Sequence, residues 1–494
     1  MEDRDNPIEI GKEEFKRIGY QLVDEISGFL DSIHEKKVTT AKSPKELQTI
    51  LGVNPLPTEG ASAEDLMVKA TELLTHYSLH NGHPKFMGFI TSSPAPIGML
   101  AELLATAINA NVSAQILSPM ATEIEKQTIQ WLSAFIGVSE DYGGLMVSGG
   151  NMANFTAFLT ARAVKAPGSI KEDGLLKSEK PLITYCSKST HTWVEKAAIL
   201  FGNGSRSIRW IETDEHNQMV TALLEKAITA DLNLGKQPFL VVGTAGDVST
   251  GVVDDLGEIA KICKRHQLWF HIDGAYGVPA AVLPELKPLF SGLGEADSIA
   301  FDPHKWLYAP LEAGCVLVKD KNHLFETFSL HPEYYNFQKS EEGSVHNFYE
   351  LGLQNSRGFR ALKVWLALQH AGRNGYMKMI RADIALSKLL FDLATEHEEL
   401  EAISQNLSIT ALRYIPPGYD SQERHEDYLN LLNEALLTEI QSSGQVFLSN
   451  AVVDKKYCLR ACIVNFKTAQ KDITELAEIV VDLGRKTHLA LQEN

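Results

Sequence analysis

Two short stretches concentrate the residue types that do chemistry, HIDGAYG at 271–277 and DSIAFDPHKWLYAP at 297–310. Asp273 closes an apolar run that reads as a buried strand, and open α/β sheets bind their ligands at strand ends. Lys305 follows a second such run and stands between His304 and Trp306. An aromatic, partly desolvated neighbourhood lowers a lysine pKa and favours the amine that condenses with a carbonyl. Singly, Asp273 reads as a helix cap and Lys305 as a surface lysine. Together, in this order on successive sheet elements, they read as a site. A third stretch, GGLMVSGGNMANF, ends a strand at Val147, turns through Ser148–Asn151 and starts a helix near Met152. Gly149 and Gly150 let the backbone come close to an anion, and the free amides of a helix start face it. The chain contains no Walker A loop, no GxGxxG and no GxSxG, which argues against nucleotide and hydrolase readings.

These residues need elements to carry them. Short β-rich runs at 144–147, 181–186, 239–245, 268–273, 298–301 and 315–320 alternate with helical patterns for the most part. That alternation predicts an α/β layer with a largely parallel sheet. Upstream, Phe15, Ile18, Leu22, Ile26, Phe29 and Ile33 fall at spacings of three and four, one face of an amphipathic helix. A second helical segment runs from about 63 to 79, so residues 1–85 read as a helical arm whose stripe needs a covering surface. A helix near 359–370 is followed by Gly372 and Gly375. The tail, 376–494, holds helical runs and the strand-like LSITALRYI and CLRACIVNF, a smaller α/β domain; residues 86–375 form the large one.

Composition narrows the function. With 494 residues, 44% hydrophobic and 22% charged, the chain is neither disordered nor fibrous. Lys and Arg number 46 against 63 Asp and Glu, a net charge of −17, which disfavours nucleic-acid and membrane-surface partners. Five scattered cysteines form no CxxC pair, so neither a disulfide framework nor a zinc site is expected. His76, His80 and His83 have helical spacing, but Asn81-Gly82 and Pro84 interrupt the helix, and no metal is predicted. The charged start, MEDRDNPIEIGKEE, is unlike a signal or transit peptide. A soluble, cytoplasmic protein is expected.

DPHKWLYAP with HIDGAYG resembles the group II pyridoxal-phosphate-dependent amino-acid decarboxylases, and the likeness runs from HPKFMGF (83–89) through SRGFRALKVW (356–365). The resemblance implies the fold type I PLP-dependent transferase architecture: a mixed, mostly parallel seven-stranded sheet with helices on both faces, the arm, and the small domain. It implies pyridoxal 5'-phosphate, covalently held by Lys305, its ring nitrogen paired with Asp273. Gly150, Asn151 and His304 would hold the phosphate, Ser148 and Gly149 would shape the turn, and Ala275 would touch the cofactor. His191, in SKSTHTWVEKAA, would stack on the ring, and Tyr334, in LHPEYYNF, with Tyr335 as its nearest rival, would protonate the product carbon. Arg357 and Phe89 would serve the substrate. Asp247 and Val248 stand where the family has threonines, and Asp302 where some members have asparagine. A homodimer with sites near the interface is implied, the arm wrapping the neighbour.

The expected reaction is decarboxylation of an L-amino acid to its amine and carbon dioxide, and the apolar Phe86, Phe89 and Ile90 tilt the substrate toward aromatic. The alternatives are an acidic-substrate decarboxylase or other PLP chemistry (oxidative deamination or aldehyde synthesis, aminotransfer, carbon–carbon lysis). Of another class is a cofactor-binding scaffold without turnover, against which Lys305, Asp273 and His191 stand together.

Overall fold

The computed structural model describes residues 6–166, 168, 170–175, 180–330, 346–419 and 425–493. The apolar runs become β1 (Gly143–Val147), β2 (Leu182–Ser187), β3 (Ile208–Ile211), β4 (Gln237–Thr244), β5 (Trp269–Asp273), β6 (Ser298–Phe301) and β7 (Gly314–Val318). They form one seven-stranded sheet in the order β1-β7-β6-β5-β4-β2-β3. Only β7 runs antiparallel to its neighbours; the other pairings are parallel. Every residue of β2, β5, β6 and β7 is buried, because helices cover both faces. That is why the strands read as unbroken apolar runs and not as alternation. β3 escapes the sequence reading: IRWI is four residues long with one exposed position.

Register places the site. Thr244 pairs with Asp273, and Asp273 with Ala300, so β4, β5 and β6 end level and their following turns converge. Across the sheet, Val147 pairs with Gly314, which sets the Ser148–Asn151 turn beside the start of β7.

The tail folds around a four-stranded antiparallel sheet, β8 (Leu400–Asn406), β9 (Ile409–Tyr414), β10 (Ser449–Val453) and β11 (Lys456–Cys462), in the order β10-β11-β9-β8. Leu432, Leu436 and Ile440 from helix Glu426–Ser443 and Ile473, Leu476 and Val480 from helix Gln470–Gln492 share a second core. Met87 joins it, and its backbone bonds to Phe447 and Cys462. The helix expected to end near His370 instead runs Ala361–Glu396 across the 375–376 boundary. Gly372, at φ 64°, bends it, whereas Gly375 sits inside the helix. In the arm, helices Lys12–Ser32, Pro44–Leu51 and Ala63–Tyr77 form; Ile18 and Ile33 are buried but Phe15 is 62% exposed.

Candidate active site

The strand ends open onto a cavity of about 350 Å³ whose lining includes Lys305, Asp273, Ala275, His191, Gly150, Asn151 and Phe89. An adjoining, more open cavity is lined by Ser148, Gly149, Gly150, Asn151 and His304. Apart from Tyr334 and Arg357, the structure therefore brings the sequence-derived site residues to two spaces that share Gly150 and Asn151. Tyr334 and Tyr335 lie outside the described residues.

The glycine turn is built for close approach. Gly149 has φ 154°, and its Cα lies 2.5 Å from where a Cβ on Gly314 would stand. A Cβ on Gly150 would come within 2.9 Å of Asp302 Oδ2. Helix Gly150–Lys165 starts there without a side-chain cap, leaving first-turn amides for an anion.

Lys305 sits on the turn that follows β6. Asp302 N donates to Ala275 O (3.1 Å), and Lys305 N to Asp302 O (2.9 Å). Lys305 Nζ lies 3.2 Å from the buried Asp302 carboxylate, whose other oxygen has no protein partner. Beyond the lysine, Trp306 Nε1 (2.9 Å) and the Tyr308 hydroxyl (2.6 Å) both donate to Asp383. Asp273 is held at the end of β5: Trp193 Nε1 donates to Oδ2 at 2.7 Å and Ala275 N to Oδ1 at 3.2 Å. His191 opens onto the cavity. Loss of hydration pulls its imidazole below the ordinary value, opposed by Asp273 and reinforced by Lys305. Burial likewise lowers His304, against the pull of Asp302. Both rings are therefore neutral near pH 7.

An amine, a strand-end carboxylate, a flat neutral ring and an anion cradle around one cavity are the parts of a site for a phosphorylated aromatic aldehyde. Residues 44–414 match the model of the pyridoxal-dependent decarboxylase conserved domain. The chain belongs to the pyridoxal-dependent decarboxylase family. The aromatic-L-amino-acid decarboxylase of Bacillus atrophaeus is 32% identical over 485 residues, 98% of each chain. Tyrosine decarboxylase 1 of Narcissus pseudonarcissus is 27% identical and covers 95% of this chain and 91% of its own. Among solved structures, Oryza sativa TDC with PLP and tryptamine superposes with a TM-score of 0.90 at 25% identity, over 98% of this chain and 99% of that one. The fold is that of these enzymes, and the activity is that of a PLP-dependent carboxy-lyase acting on an amino acid.

The decarboxylase's residues fit PLP. The uncapped start of helix Gly150–Lys165 leaves backbone amides for an anion, and a lysine amine and a carboxylate line the cavity that Gly150 shares. Arg357 is a correction to the sequence reading. It does not line the cavity; its buried guanidinium pairs with Glu125 and donates to Val112 O and Met146 O, each at 2.6 Å. Met146 lies on β1, so Arg357 braces the strand that carries the glycine turn. Asp247 also holds backbone together. One of its carboxylate oxygens accepts from Ser249 N and Thr250 N, the other from Val252 N and the Thr250 hydroxyl. His80 and His83 bond to backbone carbonyls of Lys37, Thr75 and Lys36, and among the described residues no group of three metal-ligating side chains occurs.

Sequence reasoning misses Arg460. It reaches the cavity from β11, is 2% exposed, donates through Nη2 to Phe89 O at 2.9 Å, and leaves Nε unpartnered. A lone Arg in a strand of another domain carries no local signal that could have placed it here.

Proposed function

We propose that this decarboxylase acts on an aromatic L-amino acid, works as a homodimer, and uses Lys305 as the covalent anchor of PLP. The observation that carries the reading is the convergence of Lys305, Asp273 and Gly150 on one cavity, with Gly149 and His304 lining the space that adjoins it. When bound, PLP supplies an aldehyde carbon that takes up an amine and a ring that draws in the electron pair left by the departing carboxylate. This chain's residues do the rest. Asp273 would hold a proton at the ring nitrogen. His191 and Ala275 line the cavity and would contact the cofactor ring. Gly150, Asn151 and His304 would hold the phosphate on the turn shaped by Ser148 and Gly149. Arg460, a buried cation with an unpartnered nitrogen, suits a substrate carboxylate. Tyr334 delivers the proton to the product carbon.

Phe89, Ile90 and Val248 give the cavity apolar walls, and the names of the Bacillus and Narcissus relatives point the same way. For the dimer, the support is large apolar side chains left exposed on the arm and on the helices that follow it: Tyr20 at 65%, Leu103 at 58%, Ile108 at 67% and Met120 at 72%, which a partner subunit would cover. Among the described residues no helix is long and apolar enough to cross a membrane. Five free, buried thiols suit a reducing compartment such as the cytoplasm.

The test is to incubate PLP-loaded protein with aromatic, acidic, basic and sulfinic amino acids and to measure carbon dioxide, amine and aldehyde. Carbon dioxide with stoichiometric amine from aromatic substrates alone is expected. Release confined to acidic substrates, or aldehyde in place of amine, overturns the substrate or the reaction respectively. Sedimentation of the full chain should give a dimer, and a chain starting at residue 86 should not.

A further inference from the structure

Both oxygens of Asp273 accept a hydrogen bond, but the two bonds are unequal. Oδ2 takes the indole N–H of Trp193 at 2.7 Å, the shorter of its two hydrogen bonds; Oδ1 receives a longer one, 3.2 Å, from Ala275 N. Trp193 is 1% exposed and cannot swing away. Its ring packs edge-on against His271, with centroids 5.7 Å apart at 88°. His271 is fixed in turn. Burial pulls its pKa to about 4, so the ring is neutral and carries one N–H. Trp269 Nε1 donates to Ser298 Oγ at 2.8 Å, and Ser298 Oγ lies 2.9 Å from His271 Nδ1. Asn154 Oδ1, 2.7 Å from His271 Nε2, only accepts, so Nε2 carries the ring's one hydrogen and Nδ1 accepts from the Ser298 hydroxyl. These bonds hold His271 in place, and the last rigid member before Asp273 is Trp193.

We infer that Trp193 is the positioning residue of Asp273, locking one carboxylate oxygen so that the other is presented to the ring nitrogen of the cofactor. The inference rests on the reading above that Asp273 serves that nitrogen. Trp193 stands two residues after His191, so one short segment both supplies the ring that lies against the cofactor and orients the carboxylate that pairs with it. A carboxylate that keeps a neutral indole donor remains an anion without being neutralised by a cation, which is what a protonated ring nitrogen requires.

The test is a double-mutant cycle read in cofactor affinity and absorbance, measured by equilibrium dialysis of the holoenzyme. Trp193→Phe keeps an aromatic ring and removes the N–H. It should weaken PLP binding about tenfold or more and shift the bound-cofactor spectrum, while the apo protein's thermal midpoint moves by only a few degrees. In an Asp273→Asn background the same substitution should change affinity less than about threefold, because the partner it acts through is gone. Unchanged affinity in Trp193→Phe overturns the inference. So does an equal loss in both backgrounds, which is the signature of a space-filling role. If Trp193→Phe does not fold, Trp193→Met, a flexible apolar replacement, enters the same cycle with the same expected coupling. Wild-type protein that takes up no PLP at all overturns the reading of Asp273, and the inference with it.

Discussion

Asp273 and Asp383 are both buried, at 5% and 2% exposure, and both accept an indole N–H, from Trp193 and Trp306 respectively. Their surroundings part there. Asp273 lines the cavity and is available to a ligand. Asp383, on helix Ala361–Glu396, is sealed in and spends itself on Trp306 and Tyr308, one and three residues beyond Lys305. Trp306 also stacks on Tyr276 (4.9 Å, 13°), and Tyr308 holds a left-handed φ of 54°. The lysine's turn is thus clamped between the β5 loop and the helix that leads into the small domain. Two similar hydrogen-bonded carboxylates serve different ends, and access decides which: one meets the reaction, the other holds the lysine where the reaction needs it.

Substitution should separate the two. Asp273→Asn should cut turnover by about a hundredfold or more, since a neutral amide cannot hold the ring proton as an anion does, with little change in unfolding by urea. Arg357→Ala tests the structural side, because it strands the Glu125 carboxylate in the core. Stability should fall by about 3–5 kcal/mol; a raised KM at unchanged stability would restore Arg357 to the substrate. Asp383→Leu strands two buried donors and should cost about 2–5 kcal/mol in urea unfolding. Its PLP affinity should drop less than that of Asp273→Asn, and the reverse ranking would mean that Asp383 serves the chemistry directly.

The same contrast explains what can be read from the chain. β5 and β6 are legible because parallel strands covered on both faces are apolar throughout, and Asp273 and Lys305 are legible because each sits just beyond such a run. Gly149 and Gly150 announce themselves by composition. β8, LEAISQN, is not legible: past its first residue it is half-exposed, and its polar residues look like loop. Gly375 reads as a stop yet sits mid-helix, because helix packing outweighs the propensity cost of one glycine. Trp193, Asp383 and Arg460 reach the site's machinery through partners that lie 80, 77 and 371 residues away in the chain, so no local pattern marks them. Arg357 misleads for the same reason, its partner Glu125 lying 232 residues off. The Tyr334 loop, read from a motif alone, lies outside the described residues.

The smallest effect is the one that isolates Asp383 by its titration. Burial raises its pKa to about 7, only partly offset by the Tyr308 and Trp306 donors, whereas in the unfolded chain it titrates near its ordinary value of about 4. Between those limits the native state holds a proton that the unfolded state has lost, so its contribution to stability is fully present below about pH 4 and falls as pH rises to about 7. Asp383→Asn keeps a carbonyl acceptor and removes the titration. Relative to wild type it should gain about 1–3 kcal/mol between pH 5 and pH 8, as the wild type loses the rest of its titration-linked stability. Urea midpoints of both proteins at the two pH values decide it. Parallel profiles would mean that Asp383 keeps the same charge in the folded and unfolded chain, and would leave access to the cavity as the only difference between the two carboxylates.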